Sequence, residues 1–142
     1  MNVSARNVFK GKITTLINGA VNAEVELTLP GGDRIVAIVT ENSVRSLALA
    51  VGQEAIAYVK APWVIVLAGK PEVRFSARNQ LAGQVSSVRK GAVNSEVAIA
   101  LPGGSTVHAV VTNEAALELG LKEGVLATAL IKASHVVLGV PV

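Results

Sequence analysis

Two small all-β barrels in tandem, each carrying one short helix, are what this sequence predicts, and three observations carry the prediction. The first is an internal repeat. Adding 72 to a residue number in the first half finds its counterpart with no insertion or deletion: Ser4-Ala5-Arg6-Asn7 returns as Ser76-Ala77-Arg78-Asn79, Gly19-Ala20-Val21-Asn22 as Gly91-Ala92-Val93-Asn94, Leu29-Pro30-Gly31-Gly32 as Leu101-Pro102-Gly103-Gly104, and Lys60-Ala61 as Lys132-Ala133. The second is a two-residue hydrophobic period, in which Val21, Ala23, Val25, Leu27 and Leu29 alternate with Asn22, Glu24, Glu26 and Thr28, the pattern of a half-buried strand. The third is the punctuation of apolar runs by Asn-Gly and Pro-Gly-Gly turns.

Taken in order, Val8 to Ile17 has strand composition and ends at Asn18-Gly19, or Lys90-Gly91 in the second copy, which reads as a hairpin loop. The alternating segment from Val21 to Leu29 is the second strand, and Pro30-Gly31-Gly32-Asp33 turns the chain. Ile35 to Val39 is apolar on both faces, as expected of a covered strand. Thr40 or a neighbour is expected to cap a short helix over Glu41 to Leu49, matched by Asn113 to Leu121, with Gly52 and Gly124 expected as stops. Two more strands follow, Glu54 to Val59 and Val64 to Leu67. Three strands, a helix and two strands suit a five-stranded barrel of the OB type, in which closing the sheet removes most of the unpaired edge. Ala68-Gly69-Lys70-Pro71 joins the copies, giving domains at 1–70 and 71–142; a join of about four residues reaches only about 14 Å, so the copies must touch.

Units of about 70 residues lie near the lower limit for independent folding. Yet 51% of the 142 residues are hydrophobic, only 16% are charged, and the mean hydropathy is +0.52. Such small units must leave apolar surface outside, and that surface calls for a partner. No apolar run reaches the 18 residues that a membrane span needs, so the expectation is a soluble oligomer, without membrane association. Cysteine is absent, which removes disulfides, thiolate metal sites and a cysteine nucleophile. The chain enters the repeated unit at once after Met1, leaving no room for a signal segment, and a cytoplasmic location is expected. A net charge of +3 and 3% aromatic residues supply neither the field nor the stacking platform of a single-strand nucleic-acid binder. No Gly-rich loop followed by Lys-Ser or Lys-Thr is present, which excludes a P-loop ATPase.

What repeats is not only apolar. Ser4, Arg6, Asn7, Thr40 and Lys60 recur as Ser76, Arg78, Asn79, Thr112 and Lys132, while the surface between them has diverged: Lys10 is matched by Ala82, Glu26 by Ala98 and Arg45 by Leu117. Hydroxyl, guanidinium, amide and ammonium donors with no carboxylate in the set describe a receptor for an oxyanion, to which the backbone amides of Ala5 or Ala61 can add. Against this, each such residue taken alone more often closes a turn, caps a helix or is solvated. Gly19 and Gly91 read as turn residues, and Glu24 and Glu96 as salt-bridged or solvated carboxylates, since no histidine recurs beside them. His108 and His135 face Val36 and Trp63 across the repeat, so no duplicated metal site is expected. Trp63, after Pro62, reads as packing at a barrel end or a subunit contact. No nucleophile and base pair recurs, and an enzyme is not expected.

At Ser4-Ala5-Arg6-Asn7, at Gly19 to Val25 and at Val59-Lys60-Ala61-Pro62-Trp63-Val64 the sequence resembles the molbindins, cytoplasmic proteins built from Mop domains that bind molybdate, in the tandem form with two domains per chain. The resemblance covers essentially the whole chain in two passes. It implies an OB-like barrel per copy, a homotrimer, and molybdate or tungstate held at domain and subunit interfaces for molybdenum storage, with no cofactor. By the same resemblance Ser4, Arg6, Lys60 and Ala61 lie on one side of an anion with Thr40 from a neighbouring domain, and Ser76, Arg78, Lys132 and Ala133 do so with Thr112. Ala5, Asn7, Val21, Asn22, Ala77, Asn79, Val93 and Asn94 form a secondary set, some of them for a second class of site near the symmetry axis. Ser134-His135 stands where the first copy has Pro62-Trp63, and Ser134 adds a hydroxyl there. Two other readings are a molybdate-sensing module acting with a regulator or transporter, and an OB-type nucleic-acid binder.

Overall fold

The computed structural model describes the whole chain, Met1 to Val142. Its strands are β1 (Asn7–Asn18), β2 (Asn22–Thr28), β3 (Arg34–Thr40), β4 (Glu54–Val59) and β5 (Ile65–Ala68), then β6 (Asn79–Lys90), β7 (Asn94–Ala100), β8 (Thr106–Thr112), β9 (Leu126–Ile131) and β10 (Val137–Gly139). Helix α1 (Glu41–Ser46) follows β3, and α2 (Asn113–Glu118) follows β8. A 3₁₀ turn precedes each last strand, at Ala61–Trp63 and Ala133–His135. The predicted order of three strands, a helix and two strands is present in both copies, and the protein is all-β with a short helix per repeat.

Period-2 patterning sets which face is covered. Along β2 the residues Ala23, Val25 and Leu27 are buried and their neighbours are not, because successive side chains leave a strand on opposite faces. Antiparallel pairing of β1 with β2 and β4, and of β2 with β3, builds the first sheet; β6 with β7 and β9, and β7 with β8, builds the second.

The fifth strand of each sheet comes from the other copy. Strand order is β10-β4-β1-β2-β3 in one sheet and β5-β9-β6-β7-β8 in the other. Val137 pairs with Tyr58 and Leu138 with Ala57, while Ile65 pairs with Leu130 and Val66 with Ala129. The edge strands of each sheet, β10 with β3 and β5 with β8, approach one another and bring the sheet toward a barrel. Exchange joins the halves by main-chain hydrogen bonds, and a single cluster of 28 buried apolar residues runs through both. The copies touch, as the short join requires. They interpenetrate as well.

The helices end earlier than their composition suggests. Ala48 has φ 51° and Gly120 φ 63°. Around them Ala48 N–H donates to Arg45 O and Leu49 N–H to Val44 O, and in the second copy Gly120 N–H donates to Leu117 O and Leu121 N–H to Ala116 O. Both are Schellman closures with the left-handed residue just past the cap. The stops are therefore Ala48 and Gly120, whereas Gly52 and Gly124 belong to the turns leading into β4 and β9.

Candidate anion-binding site

Ser4 and Ala5 precede β1, and Lys60 follows β4, whose pairing of Asn7 with Val59 brings the two segments side by side. Ser4, Ala5 and Lys60 consequently line one cleft of about 660 Å³, together with Tyr58, Trp63 and His135. Ser4 and Lys60 are exposed, and Ala61 beneath them is buried. The rings of Trp63 and His135 meet with centroids 5.0 Å apart and planes at 44°, so these counterparts, which differ between the copies, pack on each other. The cleft is also bounded by Met1, Val3 and Val137, all of them exposed apolar side chains.

Arg6 lies elsewhere. Its guanidinium donates to Glu96 Oε1 at 2.7 Å and lines a second hollow, with Arg89, Lys90, Asn94 and Ser95. Arg78 is paired in the same way with Glu24. Each arginine therefore reaches from one copy to the carboxylate of the other, and the salt-bridge reading of Glu24 and Glu96 holds. His108 Nδ1 stands 3.4 Å from the same Glu96 Oε1. That nitrogen is buried and makes no hydrogen bond. The equivalent position beside Glu24 carries Val36.

Asn7 and Asn79 are buried, and their amides act as pieces of strand. Asn7 Nδ2 donates to His108 O at 2.8 Å and its Oδ1 accepts from His108 N at 2.7 Å. Asn79 does the same with the main chain of Val36, at 2.8 and 2.7 Å. A buried amide that satisfies both a peptide N–H and a peptide C=O repays its own desolvation and that of two orphan groups.

The hydroxyl of Thr40 accepts from Ser43 N at 3.1 Å and donates to Ser43 Oγ at 2.9 Å, and Thr112 accepts from Ala115 N at 3.0 Å. Both threonines are N-caps and both are exposed. Neither lines the cleft of Ser4 and Lys60. In the second copy Ser76, Lys132 and Ser134 are exposed around the buried Ala133. Val21, Asn22, Val93 and Asn94 are exposed at the starts of β2 and β7, and Asn22 pairs with Thr40 and Asn94 with Thr112 in the sheets. The fold thus brings Ser4, Ala5, Lys60 and Ala61 together, sets Arg6 beside Asn94, and leaves the threonines apart from both.

Some of the repeated residues serve the joint between copies. The Pro-Gly-Gly turns meet: a side chain on Gly31 would run into the Gly103 backbone, and one on Gly103 into Asp33. Asp33 Oδ1 accepts from Gly103 N at 3.2 Å. Repetition of Leu-Pro-Gly-Gly and of Asn7 therefore follows from a self-complementary joint as much as from any binding site. Nothing in the periodicity signals this, because the partner of each block is the other copy.

Comparison with known proteins settles the family. The TOBE domain matches twice, over residues 3–66 and 76–138. The chain belongs to the TOBE-domain family. It is 44% identical to the molybdenum-pterin-binding protein MopA of Rhodobacter capsulatus over 99% of its own length and 53% of that protein. It is likewise 44% identical to the molybdenum transport protein ModE of Azotobacter vinelandii, over 99% of its length and 52% of that protein. The chain thus spans about half the length of the curated relatives it matches. Among solved structures it superposes on the cytoplasmic molybdate-binding protein ModG, in a form with molybdate bound, with a TM-score of 0.94 and 55% identity, covering 99% of this chain and 100% of that one.

Proposed function

We propose that this TOBE protein binds molybdate, and tungstate as its close mimic, to store and buffer molybdenum without chemical conversion. One observation carries the reading: likeness over the full length of both chains to ModG, which was solved with molybdate bound. The duplicated donor set supports it. Ser4, Lys60 and Ala61 with Arg6, and Ser76, Lys132 and Ala133 with Arg78, supply hydroxyl, ammonium, amide and guanidinium groups suited to a tetrahedral dianion, and Thr40 and Thr112 enter from a neighbouring domain. The duplicated units are 1–70 and 71–142. Dehydrating a dianion is costly, so tight binding needs a closed pocket; the exposed apolar residues around the cleft, Met1, Val3, Trp63 and Val137, fit closure by neighbouring subunits in a homotrimer. The proposed location is the cytoplasm, the compartment that ModG is described from. No helix is long and apolar enough to cross a membrane.

Selection against sulfate rests on cavity size, since charge and shape are alike. Phosphate, partly protonated at neutral pH, brings a donor to a site made of donors. Titration calorimetry of the purified oligomer with molybdate, tungstate, sulfate and phosphate tests the reading. Heat with the first two and not the last two is expected; no heat with either molybdate or tungstate removes it.

A second reading is favoured by the half-length match to ModE, named a DNA-binding transcriptional dual regulator in Escherichia coli. There the chain is a molybdate sensor that passes its state to a partner. Molybdate-dependent co-elution with a regulator or transporter component from the native source separates sensing from storage.

A further inference from the structure

The two cross-copy ion pairs place the candidate anion-binding arginines on carboxylates rather than on the donors they would join. Arg6 sits with Glu96, Asn94 and Ser95, and is absent from the cleft lined by Ser4, Ala5 and Lys60. Arg78 is held by Glu24 in the other half. Both arginine side chains are about half exposed, at 53% and 52%, while their partner carboxylates are only 22% and 24% exposed. The carboxylate is the more enclosed member of each pair and the guanidinium the more exposed one. An oxyanion and a carboxylate compete for the same two-pronged donor.

The halves differ in what remains once the arginine leaves. Departure of Arg78 leaves the Glu24 carboxylate to water, because the Val36 side chain offers no donor. Departure of Arg6 does not strand Glu96, since His108 Nδ1 stands 3.4 Å from the same oxygen with no hydrogen bond of its own. With its proton on Nδ1, the imidazole needs only a short approach to replace the guanidinium. A carboxylate handed to a second donor is held better than one left to water alone.

We propose that Glu96 and Glu24 are internal competitors that hold Arg6 and Arg78 off the anion until it arrives, and that His108 relieves the first of these latches so that the two halves bind with unequal affinity. The inference rests on the reading of Arg6 and Arg78 as oxyanion ligands. It names positioning residues, Glu24, Glu96 and His108, which act on the anion only through the arginines.

The test is calorimetric titration of the full-length oligomer with sodium molybdate in five forms: unaltered, Glu96→Gln, Glu24→Gln, His108→Val and the double variant Glu96→Gln with His108→Val. Each Gln variant is expected to tighten binding, roughly two- to fivefold for exposed pairs of this kind, with the larger gain at Glu24. His108→Val, which copies the residue found in the other half, should weaken binding, and should have no effect once Glu96 is Gln. A carboxylate that merely repels the anion gives the first result without this coupling, so its absence overturns the proposal. Unchanged or weaker binding in both Gln variants, in protein that still takes up molybdate, overturns the latch alone. No uptake by the unaltered protein overturns the functional reading and the latch with it. Should a Gln variant fold poorly, His108→Val carries the test, because valine already occupies that place in the other copy.

Discussion

Asn7 and Asn79 show how much one side chain can carry. Each sits with almost no exposure and supplies both hydrogen bonds that a neighbouring strand would give to β8 or β3. Asn7→Ala removes a donor and an acceptor and leaves the part-buried N–H and C=O of His108 without these partners. Loss of about 1–3 kcal/mol is expected for each asparagine, on the usual cost of an unsatisfied buried group, measured by denaturant unfolding. The exposed donors behave differently. Arg6→Ala together with Lys60→Ala should change stability little, because their contacts are solvated, and should remove only part of the molybdate heat if the halves form separate sites. Complete loss would mean that the halves are coupled. The donor set itself is legible in the sequence through its repetition. What the sequence does not reveal is where each donor points: Arg6 is two residues from Ser4 yet faces a different hollow, since its partner, Glu96, lies in the other copy.

At the level of the element, composition and period place nearly every strand, with limits differing by about a residue. Helix α1 is less legible. Its closure needs a left-handed residue, and the first copy supplies Ala48 where the second has Gly120. A Cβ in that conformation costs about 1–2 kcal/mol, so Ala48→Gly is expected to stabilise the protein by roughly 0.5–1 kcal/mol after the extra freedom of glycine in the unfolded chain is offset. A rise in the thermal midpoint checks it. The opposite holds at the meeting turns, where Gly31→Ala forces a methyl against the Gly103 backbone. A loss on the order of 1–3 kcal/mol follows from overpacking, read from the same unfolding curves. Gly31 and Gly103 read as ordinary turn glycines in the sequence; their contact with each other exists only across the joint.

At the scale of the molecule the exchange of β5 and β10 decides the behaviour. Removing 137–142 deletes the strand that covers β4 and leaves the peptide groups of Ile56 and Tyr58 at an open edge. Faster amide hydrogen exchange in β4 than in the pseudo-equivalent β9 is the expected outcome, because β9 keeps its pairing with β5. Equal protection of the two strands would show that β10 adds nothing to the first sheet. By itself the sequence determined the repeat, the order of strands and helix in each copy, the faces they bury and the identity of the polar residues kept twice. These are local or periodic properties, written in side-chain alternation and turn chemistry. Only the tertiary structure decided which copy receives each fifth strand, that Asn7 and Asn79 stitch the halves together, and that each arginine is held by the opposite glutamate. The physical reason is degeneracy: Ile65-Val66-Leu67 and Val137-Leu138-Gly139 present similar apolar strands to equivalent neighbours, so pattern alone fits either barrel, and the path of the chain between them makes the choice.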